Sequence, residues 1–337
     1  RTIVKLDAKH LVPEWAMEKL KAYYLKPHLE NGRQAEELRR ILPVLEDAGI
    51  PVMLLKGAAL THAIYGDLGL HPSCDVDVLL KEKDLGLAVE VMRNLGDCGY
   101  RRGAKLDEWD ALADLHPPSF RRIGGGVIEP HFWFIRPHPR HPMDMEKVWD
   151  RCLKIDIGGV AARVPSAEDM LIHQCLHLSM VHLYFSTGAR DLCNISEIIG
   201  HCGEGKLDWD YLEETARRGR LEQYVYYPIR LADELLGLSL DGSVYRGFKF
   251  AGWRLRTAEE CTLLSRHVFS DLRKASRRNW RGKFRLLWDL RCLPDHPIAE
   301  VYSLRTPWQR MFAHYLWLID MVRLGAAVRD AFPVESH

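Results

Sequence analysis

The sequence predicts an α/β fold, a mixed sheet flanked by helices, followed by a helical C-terminal domain. Short apolar runs separated by glycine-containing turns alternate with helical stretches over residues 49–165. From Pro165 onward the apolar residues recur mainly at helical spacing. A chain of 337 residues accommodates about two domains. We therefore expect an N-terminal helical segment over 1–48, an α/β domain over 49–165 and a helical domain over 166–337.

The N-terminal segment is expected to be helical but interrupted. Residues 14–48 carry apolar positions at helical spacing, and Gly49 marks the end of the pattern. Pro27 and Pro43 lie inside it. Because proline removes a helical hydrogen bond, the pattern predicts two or three helices here.

Two strands of the predicted sheet follow. The apolar run 51–55 predicts a strand that passes through the turn 56–57 into a helix over 58–65. Residues 75–80, with the sequence DVDVLL, alternate and then become fully apolar. This pattern is typical of a strand in the centre of a sheet.

Two hairpins and a helix start complete the predicted α/β domain. Residues 120–129 predict a hairpin around glycines 124–126, and residues 153–164 predict a second one around glycines 158–159. Ser166, followed three residues later by an acid, predicts the N-cap of the first helix of the helical domain.

Composition excludes several classes of protein. The formal net charge is +1, which argues against a surface devoted to nucleic acid. The eight cysteines form no C-x-x-C pair, so a reducing cytoplasm is the expected compartment, and no signal peptide is expected. The apolar stretch 311–328 is broken by charged residues, so no membrane span is expected.

Three acids carry the predicted chemistry. Asp75 and Asp77 are two apart in a strand-like run, so their side chains share one face, about 6–7 Å apart. Glu129 ends another apolar run, and the three carboxylates converge if the two strands are neighbours. Convergent carboxylates repel one another unless a cation such as Mg²⁺ lies between them. The alternative is that Asp75 and Asp77 are strand-end acids that cap turns.

A candidate phosphate site precedes these acids. The sequence Lys56-Gly57-Ala58 leads from a predicted strand into a predicted helix. The N-terminus of a helix presents free N–H groups that suit a triphosphate, and Lys56 adds a positive charge. Gly57 in a simple turn is the alternative.

In this order the features resemble the nucleotidyltransferase fold of the DNA polymerase β superfamily. The chain more closely resembles an uncharacterised bacterial nucleotidyltransferase family often encoded beside ribosomally made, modified peptides. The resemblance extends from about residue 35 to the C-terminus. The matching residues are Leu55-Lys56-Gly57, Tyr65, Pro72, Asp75-Val76-Asp77, Glu129-Pro130-His131-Phe132-Trp133, Pro165-Ser166-Ala167-Glu168-Asp169, His177, Arg190-Asp191 and Leu207-Asp208-Trp209.

The resemblance implies roles for the two domains. Residues 49–165 would be the catalytic nucleotidyltransferase domain and 166–337 a domain for substrate or partner. The helix with Arg190 and Asp191 would face the cleft and help to bind the nucleotide, although an ordinary ion pair is the alternative. Two departures weaken the expected phosphate contacts: Ala58 replaces a small polar residue of the superfamily, and His71 replaces an arginine of the family.

Histidines and a basic stretch leave alternatives open. His131 lies two residues past Glu129, on the same predicted strand face, where it could orient a phosphate or the acceptor. His173, His177 and His182 lie in an apolar helix, where core packing, a cleft lining and a zinc site are all considered. The basic stretch 266–291 is either a solvated helix face or a docking surface for an acidic peptide or RNA.

The predicted function is metal-dependent nucleotidyl transfer. Mg²⁺ or Mn²⁺ held by Asp75, Asp77 and Glu129 would bind the triphosphate of an NTP, expected to be ATP, and a hydroxyl would attack the α-phosphorus. Glu129, alone or with Asp77, is also placed to help deprotonate that hydroxyl. The resemblance implies a peptide or a small hydroxylated molecule as acceptor, whereas the composition and the broken apolar stretch argue against nucleic acid and membrane as partners. The alternatives are a non-catalytic or antitoxin-like nucleotide-binding module, and transfer to a partner protein or RNA.

Overall fold

The structure, a computed structural model, describes residues 9–96, 119–121, 126–135, 141–181, 188–203 and 206–247. The chain divides into two compact units, one of residues 1–181 with 190–249 and one of residues 182–189 with 250–337. Nearly all described residues belong to the first unit. The basic stretch 266–291, His182 and the hairpin glycines 124–125 lie outside the described residues.

The described strands form one six-stranded mixed sheet in the order β3-β4-β2-β1-β6-β5. Strand β2 pairs in parallel with β4 and antiparallel with β1, and β1 pairs in parallel with β6. The outer pairs β3–β4 and β5–β6 are antiparallel. The bounds are Met53–Leu54 (β1), Val76–Leu79 (β2), Phe120–Arg121 (β3), Val127–His131 (β4), Leu153–Asp156 (β5) and Ala161–Val164 (β6).

The helices of the described residues cover the sheet and continue beyond it. The predicted α/β fold with a mixed sheet and flanking helices is therefore confirmed. The α-helices are Glu14–Asp47 (α1), Lys56–Ala59 (α2), Leu85–Asn94 (α3), Met145–Asp150 (α4), Ala167–Leu176 (α5), Gly188–Cys202 (α6), Trp209–Arg218 (α7) and Glu222–Leu236 (α8). π-Helical turns extend α2 over Leu60–Tyr65 and α5 over His177–Val181, and 3₁₀ turns lie at Lys9–Leu11, Glu82–Asp84 and Gly242–Tyr245.

Strand β2 is central, as its sequence predicts. All four of its residues are buried, because β1 and β4 flank it and both faces of the sheet are covered at this point. Met53 and Leu79, which are partners in the β1–β2 ladder, belong to a core cluster with Leu55, Phe134 and Val148. This core fixes the position of the strand that carries Asp77.

The N-terminal segment differs from its prediction of two or three helices. One 34-residue helix runs through both Pro27 and Pro43. An interior proline costs about 3 kcal/mol. The helix persists because a long apolar face, which includes Leu38, Ile41 and Leu45, is buried against the rest of the unit.

The N-cap predicted at Ser166 is confirmed. The Ser166 hydroxyl accepts a hydrogen bond from the Asp169 backbone N–H at 3.2 Å and begins α5. Asp208 caps α7 in the same way, through the backbone N–H of Tyr211 at 2.8 Å. The first compact unit continues across residue 165. The domain boundary expected there stays a prediction.

Within the described ranges, none of the helices combines the length and the apolar character that a membrane crossing requires. The described cysteines are free thiols: Cys74, Cys152, Cys175, Cys193 and Cys202.

Candidate functional site

The register of β2 and β4 brings acidic and imidazole groups together. Asp77 lies directly beside Glu129, and Leu79 lies beside His131. Since residues two apart in a strand share a face, Glu129 and His131 project toward the side of the sheet that carries Asp77. One ligand atom from each of Asp77, Glu129 and His131 lies within 4.8 Å of the other two. We call these three residues the carboxylate–imidazole cluster.

Asp77 is the buried centre of this cluster. Its side chain is 6% exposed, and its Oδ1 atom lies 2.7 Å from Lys56 Nζ and 2.7 Å from His131 Nε2. Burial alone would raise the pKa of Asp77, but the charge of Lys56 and the hydrogen bond with His131 outweigh it and hold that pKa well below its usual range. Asp77 is therefore an anion in contact with the Lys56 ammonium and the His131 imidazole.

Lys56 reaches Asp77 from a strained turn. Its backbone φ is 44°, in the left-handed region that a residue with a side chain rarely adopts. The β1–β2 ladder continues into this turn, because the Leu55 N–H donates to the Asp77 carbonyl at 2.9 Å. Strain of this kind persists where the surrounding structure compensates for it, which is common at functional sites.

Asp75 lies just outside the strand and outside the cluster. It precedes β2, it is partly exposed, and its carbonyl accepts a hydrogen bond from the Ser73 hydroxyl at 2.7 Å. Of the predicted ligand set, the structure thus brings Asp77 and Glu129 together with His131, whereas Asp75 is not in the group. The set of Asp75, Asp77 and Glu129 stays a prediction.

His131 is predicted from the sequence to orient a phosphate or the acceptor, and its position in the structure makes it a possible metal ligand as well. The signal was present, because the two-residue spacing from Glu129 puts both side chains on one strand face. What the spacing lacked was the neighbour: only the β2–β4 register reveals that the same face carries Asp77.

The Gly57 turn leaves no room for a side chain. A Cβ at Gly57 would lie 2.6 Å from Ser73 Oγ and 3.3 Å from His71 Cε1. Ala58, the next residue, is buried in the core and presents no side chain to solvent. Helix α1 supports the loop from the other side, since Asn31 donates to the His71 carbonyl at 2.7 Å and Gln34 to the Ser73 carbonyl at 3.1 Å.

His71, a predicted phosphate contact, lies beneath this turn. It is 5% exposed, and neither ring nitrogen has a hydrogen-bond partner among the described residues. Burial, together with the charge of Arg190, lowers the pKa of His71 to about 4. Its ring packs against Tyr65, with centroids 5.5 Å apart. Contact with a phosphate stays a prediction, and the observed role of His71 is to fill the space under Gly57.

Helix α6 lies within electrostatic range of the same turn. Asp191 is 1% exposed, and its carboxylate oxygens lie 3.3 Å from His177 Nδ1 and 3.9 Å from Arg190 Nε. The Tyr65 hydroxyl donates to Asn194 of α6 at 2.8 Å. The predicted residues Arg190 and Asp191 therefore form an ion pair on α6, and their role in nucleotide binding stays a prediction.

The two described helical histidines, His173 and His177, lie in different surroundings. His173 is buried and stacks on Phe134, with ring centroids 4.3 Å apart. Burial, with the nearby charge of Lys56, keeps the pKa of His173 well below its usual value. Within the part of the chain that the structure describes, the group suited to a metal ion contains neither His173 nor His177.

The donor set of the cluster fits a divalent cation. Two atoms bound to one ion at about 2.0–2.3 Å lie about 3 Å apart when adjacent and a little over 4 Å apart when opposite. The 2.7 Å between His131 Nε2 and Asp77 Oδ1 and the 4.8 Å limit on the whole group are close to these values. Small side-chain shifts would therefore let all three residues hold one ion.

The mixed sheet, with carboxylates on adjacent strands beside a Lys-Gly segment, is the arrangement that the resemblance to nucleotidyltransferases implies. The chain belongs to the family described as uncharacterised nucleotidyltransferase, whose family model matches residues 1–237. This match begins before residue 35 and ends well before the C-terminus, which corrects the extent that the sequence resemblance implied. No functionally curated protein matches the chain.

Solved structures give distant likenesses. A solution structure of the antibiotic-resistance factor ANT(2'')-Ia shares 16% identity and a TM-score of 0.38, covering 58% of this chain and 97% of that one. A crystal structure of ANT(2'')-Ia in complex with adenylyl-2''-tobramycin shares 16% identity and a TM-score of 0.37, with 56% and 97% covered. An antigenic nucleotidyltransferase-like protein from Paracoccidioides brasiliensis shares 15% identity and a TM-score of 0.37, with 58% and 94% covered.

Proposed function

We propose that this nucleotidyltransferase moves a nucleoside monophosphate from an NTP, in the first instance ATP, to a hydroxyl group, with a divalent cation as cofactor. The acceptor is a peptide or a small hydroxylated molecule, as the sequence resemblance implies, and the free thiols support a reducing cytoplasm as the compartment. The observation that carries the proposal is the side-by-side position of Asp77 and Glu129 on adjacent strands, with His131 in the same group.

In the proposed reaction, the acceptor oxygen forms a bond to the α-phosphorus while the bond from that phosphorus to pyrophosphate breaks. A divalent ion supplies charge neutralisation for the triphosphate and for the developing charge on the leaving group. Asp77 and Glu129 would hold that ion, and Asp75 is the third predicted acid at the entrance to the strand. The Glu129 carboxylate accepts a hydrogen bond from the Ser119 hydroxyl at 3.3 Å, and we expect it to take the proton of the acceptor hydroxyl.

Lys56 contributes in a second way. Its ammonium is paired with Asp77 in the structure, on a side chain that is 25% exposed. The flexible stem of a lysine can move its charge by several ångströms. With Asp77 serving as a cation ligand, the Lys56 ammonium would be available to pair with the triphosphate instead.

The test is nucleotide transfer by the purified chain. Each NTP is incubated with Mg²⁺ or Mn²⁺ and with peptide and small-molecule acceptors, and mass spectrometry follows the gain of one nucleotide while pyrophosphate is assayed. We expect transfer by the wild type and its loss, by at least about 1000-fold, in Asp77→Asn. Asp150→Asn, an exposed acid at the end of α4, is the matched control and keeps activity.

Two results contradict the proposal. Turnover that survives in Asp77→Asn means that the chemistry does not use this cluster. Binding of NTP without pyrophosphate release, across a broad panel of acceptors, identifies a non-catalytic nucleotide-binding module instead.

A further inference from the structure

The carboxylate–imidazole cluster contains a nitrogen donor aimed at its centre. His131 Nε2 lies 2.7 Å from the Asp77 oxygen that Lys56 also contacts. Its side chain is 13% exposed and extends from β4, which is hydrogen-bonded to β2 along four residue pairs. The imidazole is therefore held by the sheet itself, and its position depends little on loop movement.

The chemistry of the donors indicates which ions they prefer. Mg²⁺ is bound through oxygen ligands and water, whereas imidazole nitrogen favours divalent transition-metal ions. Two carboxylates and one imidazole on one face form a mixed oxygen and nitrogen set. The buried position of the Asp77 side chain keeps one carboxylate oriented toward the imidazole.

We propose that His131 Nε2 is a direct ligand of the bound cation, together with Asp77 and Glu129, and that the site prefers a divalent transition-metal ion such as Mn²⁺ to Mg²⁺. This proposal rests on the proposed function in taking the cluster as the cation site. It adds a ligand and an ion class that the predicted set of three carboxylates does not contain.

Lys56 competes with the ion in the free protein. Its Nζ atom lies 2.7 Å from Asp77 Oδ1 and 3.5 Å from His131 Nε2, so an ion on these two ligands must displace it. Metal binding is therefore measured in the wild type and in Lys56→Met, where this competition is removed.

The first experiment uses the full chain with Mn²⁺ alone. Pulsed electron paramagnetic resonance on bound Mn²⁺ detects a directly coordinated nitrogen through its magnetic coupling to the metal. We expect a nitrogen coupling in the wild type and in Lys56→Met. In protein labelled with ¹⁵N-histidine the coupling is expected to change to the ¹⁵N pattern.

The second experiment assigns the nitrogen and tests the ion preference. His131→Asn is expected to lose the coupling, to bind Mn²⁺ roughly 100-fold more weakly, and to bind Mg²⁺ with little change by calorimetry. Asp150→Asn is the control and is expected to match the wild type in both. Thermal melts of each variant establish that it is folded. The wild-type spectrum tests nitrogen coordination without any substitution.

The outcomes separate this proposal from the proposed function. Three results would overturn the proposal that His131 is a metal ligand. They are bound Mn²⁺ without nitrogen coupling, an unchanged preference for Mn²⁺ over Mg²⁺ in folded His131→Asn, and no Mn²⁺ binding to either the wild type or Lys56→Met. A chain that shows the His131 coupling but transfers no nucleotide retains this metal site and loses the proposed reaction. A chain that transfers nucleotide but shows no nitrogen coupling retains the proposed reaction and loses His131 as a metal ligand.

Discussion

Lys56 connects the strained turn to the buried acid of the site. Its ammonium neutralises Asp77 at 2.7 Å, and its backbone accepts a φ of 44° to place it there. A left-handed residue with a side chain costs about 1–3 kcal/mol, so the contact must offset that strain. The pairing also means that a metal ion and Lys56 compete for one carboxylate.

Replacing Lys56 by methionine tests that competition. Lys56→Met is expected to bind Mn²⁺ about 10-fold more tightly in the absence of nucleotide, because Asp77 no longer has an internal cation. The same variant is expected to bind NTP more weakly, since a positive charge for the triphosphate is lost. Calorimetry with Mn²⁺ and then with NTP measures both, and Lys206→Met, on an exposed side chain, is the control. Mn²⁺ affinity that is unchanged or weaker would show that Lys56 does not compete for Asp77.

His71 gives the folded chain a dependence on pH. Its pKa falls from 6.5 to about 4 in the folded state, so the unfolded chain binds more protons between these values. Stability is therefore highest above pH 6.5, falls as the pH drops toward 4, and changes no further from this group below that. From the two pKa values, His71 makes the protein about 2 kcal/mol less stable at pH 5 than at pH 7.

Removing the imidazole is expected to remove this effect. His71→Leu fills a similar volume and has no ring nitrogens to leave without partners, so we expect about 1 kcal/mol more stability at pH 7 and a smaller loss at pH 5. Urea unfolding at both pH values measures the difference. His201→Gln, at an exposed position, is expected to follow the wild type. A wild-type pH dependence in His71→Leu would assign the effect to other groups.

At the scale of the element, the first turn of α2, which follows β1 directly, leaves little room for change at Gly57. A Cβ at Gly57 would meet Ser73 Oγ at 2.6 Å and Ser73 Cβ at 2.9 Å, both in the loop that α1 holds in place. Gly57→Ala is expected to cost about 1–3 kcal/mol of stability and to weaken NTP binding, because the turn must shift. Unfolding and calorimetry measure the two effects.

Two further variants isolate the cause in Gly57→Ala. Adding Ser73→Gly removes both close contacts, and the double variant is expected to recover part of the lost stability. Gly32→Ala, inside α1 with no atom within 4 Å of the new Cβ, is expected to be neutral or to stabilise by up to about 1 kcal/mol. An equal loss in Gly57→Ala with and without Ser73→Gly would exclude the clash as the reason.

Elements with a local signal could be predicted from the sequence. The glycines of the 153–164 hairpin adopt φ values of 61° and 92°, and Ser166 caps its helix, because each of these effects depends on neighbouring residues alone. The position of Asp77 in a central strand was also predicted, since its neighbours are apolar on both faces. Elements that depend on distant partners were not predicted: α1 passes through its prolines because of tertiary burial. The position of His131 beside Asp77 follows from a strand register that no local pattern contains.

At the scale of the whole molecule, one buried polar network joins the sheet to the helices that follow it. Arg151 Nη2 donates to Glu168 Oε2 at 2.7 Å, and its guanidinium lies 3.7 Å from the centre of the Tyr211 ring. The Tyr211 hydroxyl donates to Asp169 at 2.8 Å, and the Asp208 backbone N–H donates to Glu168 at 3.1 Å. The end of α4 and the starts of α5 and α7 are thereby connected within the first compact unit.

Arg151 is one of the groups that set the pKa values of the two acids in this network, Asp169 and Glu168. Burial raises the pKa of Asp169, whose carboxylate is fully buried, and the nearby Arg151 charge opposes that rise. Burial would also raise the pKa of Glu168, but the hydrogen bond from the Asp208 N–H and the charge of Arg151 outweigh it, so that pKa is lowered. Arg151, which precedes β5, is thus the cation shared by two acids that hydrogen bonds also stabilise.

Removing that cation is expected to destabilise the whole unit. Arg151→Met keeps the apolar contact with Tyr211 but leaves two buried acids without their cation, which costs about 3 kcal/mol. Arg217→Met, which breaks a surface pair on a side chain that is 58% exposed, is the control and is expected to leave the stability nearly unchanged. Urea unfolding, followed by circular dichroism and by tryptophan fluorescence, is expected to show one shifted transition for Arg151→Met. In the double variant with Glu168→Gln the loss is expected to be smaller than the sum of the single losses, because one of the unpaired acids is gone. Strictly additive losses would mean that Arg151 and Glu168 are not energetically coupled, and the connection between sheet and helices would then rest on apolar packing alone.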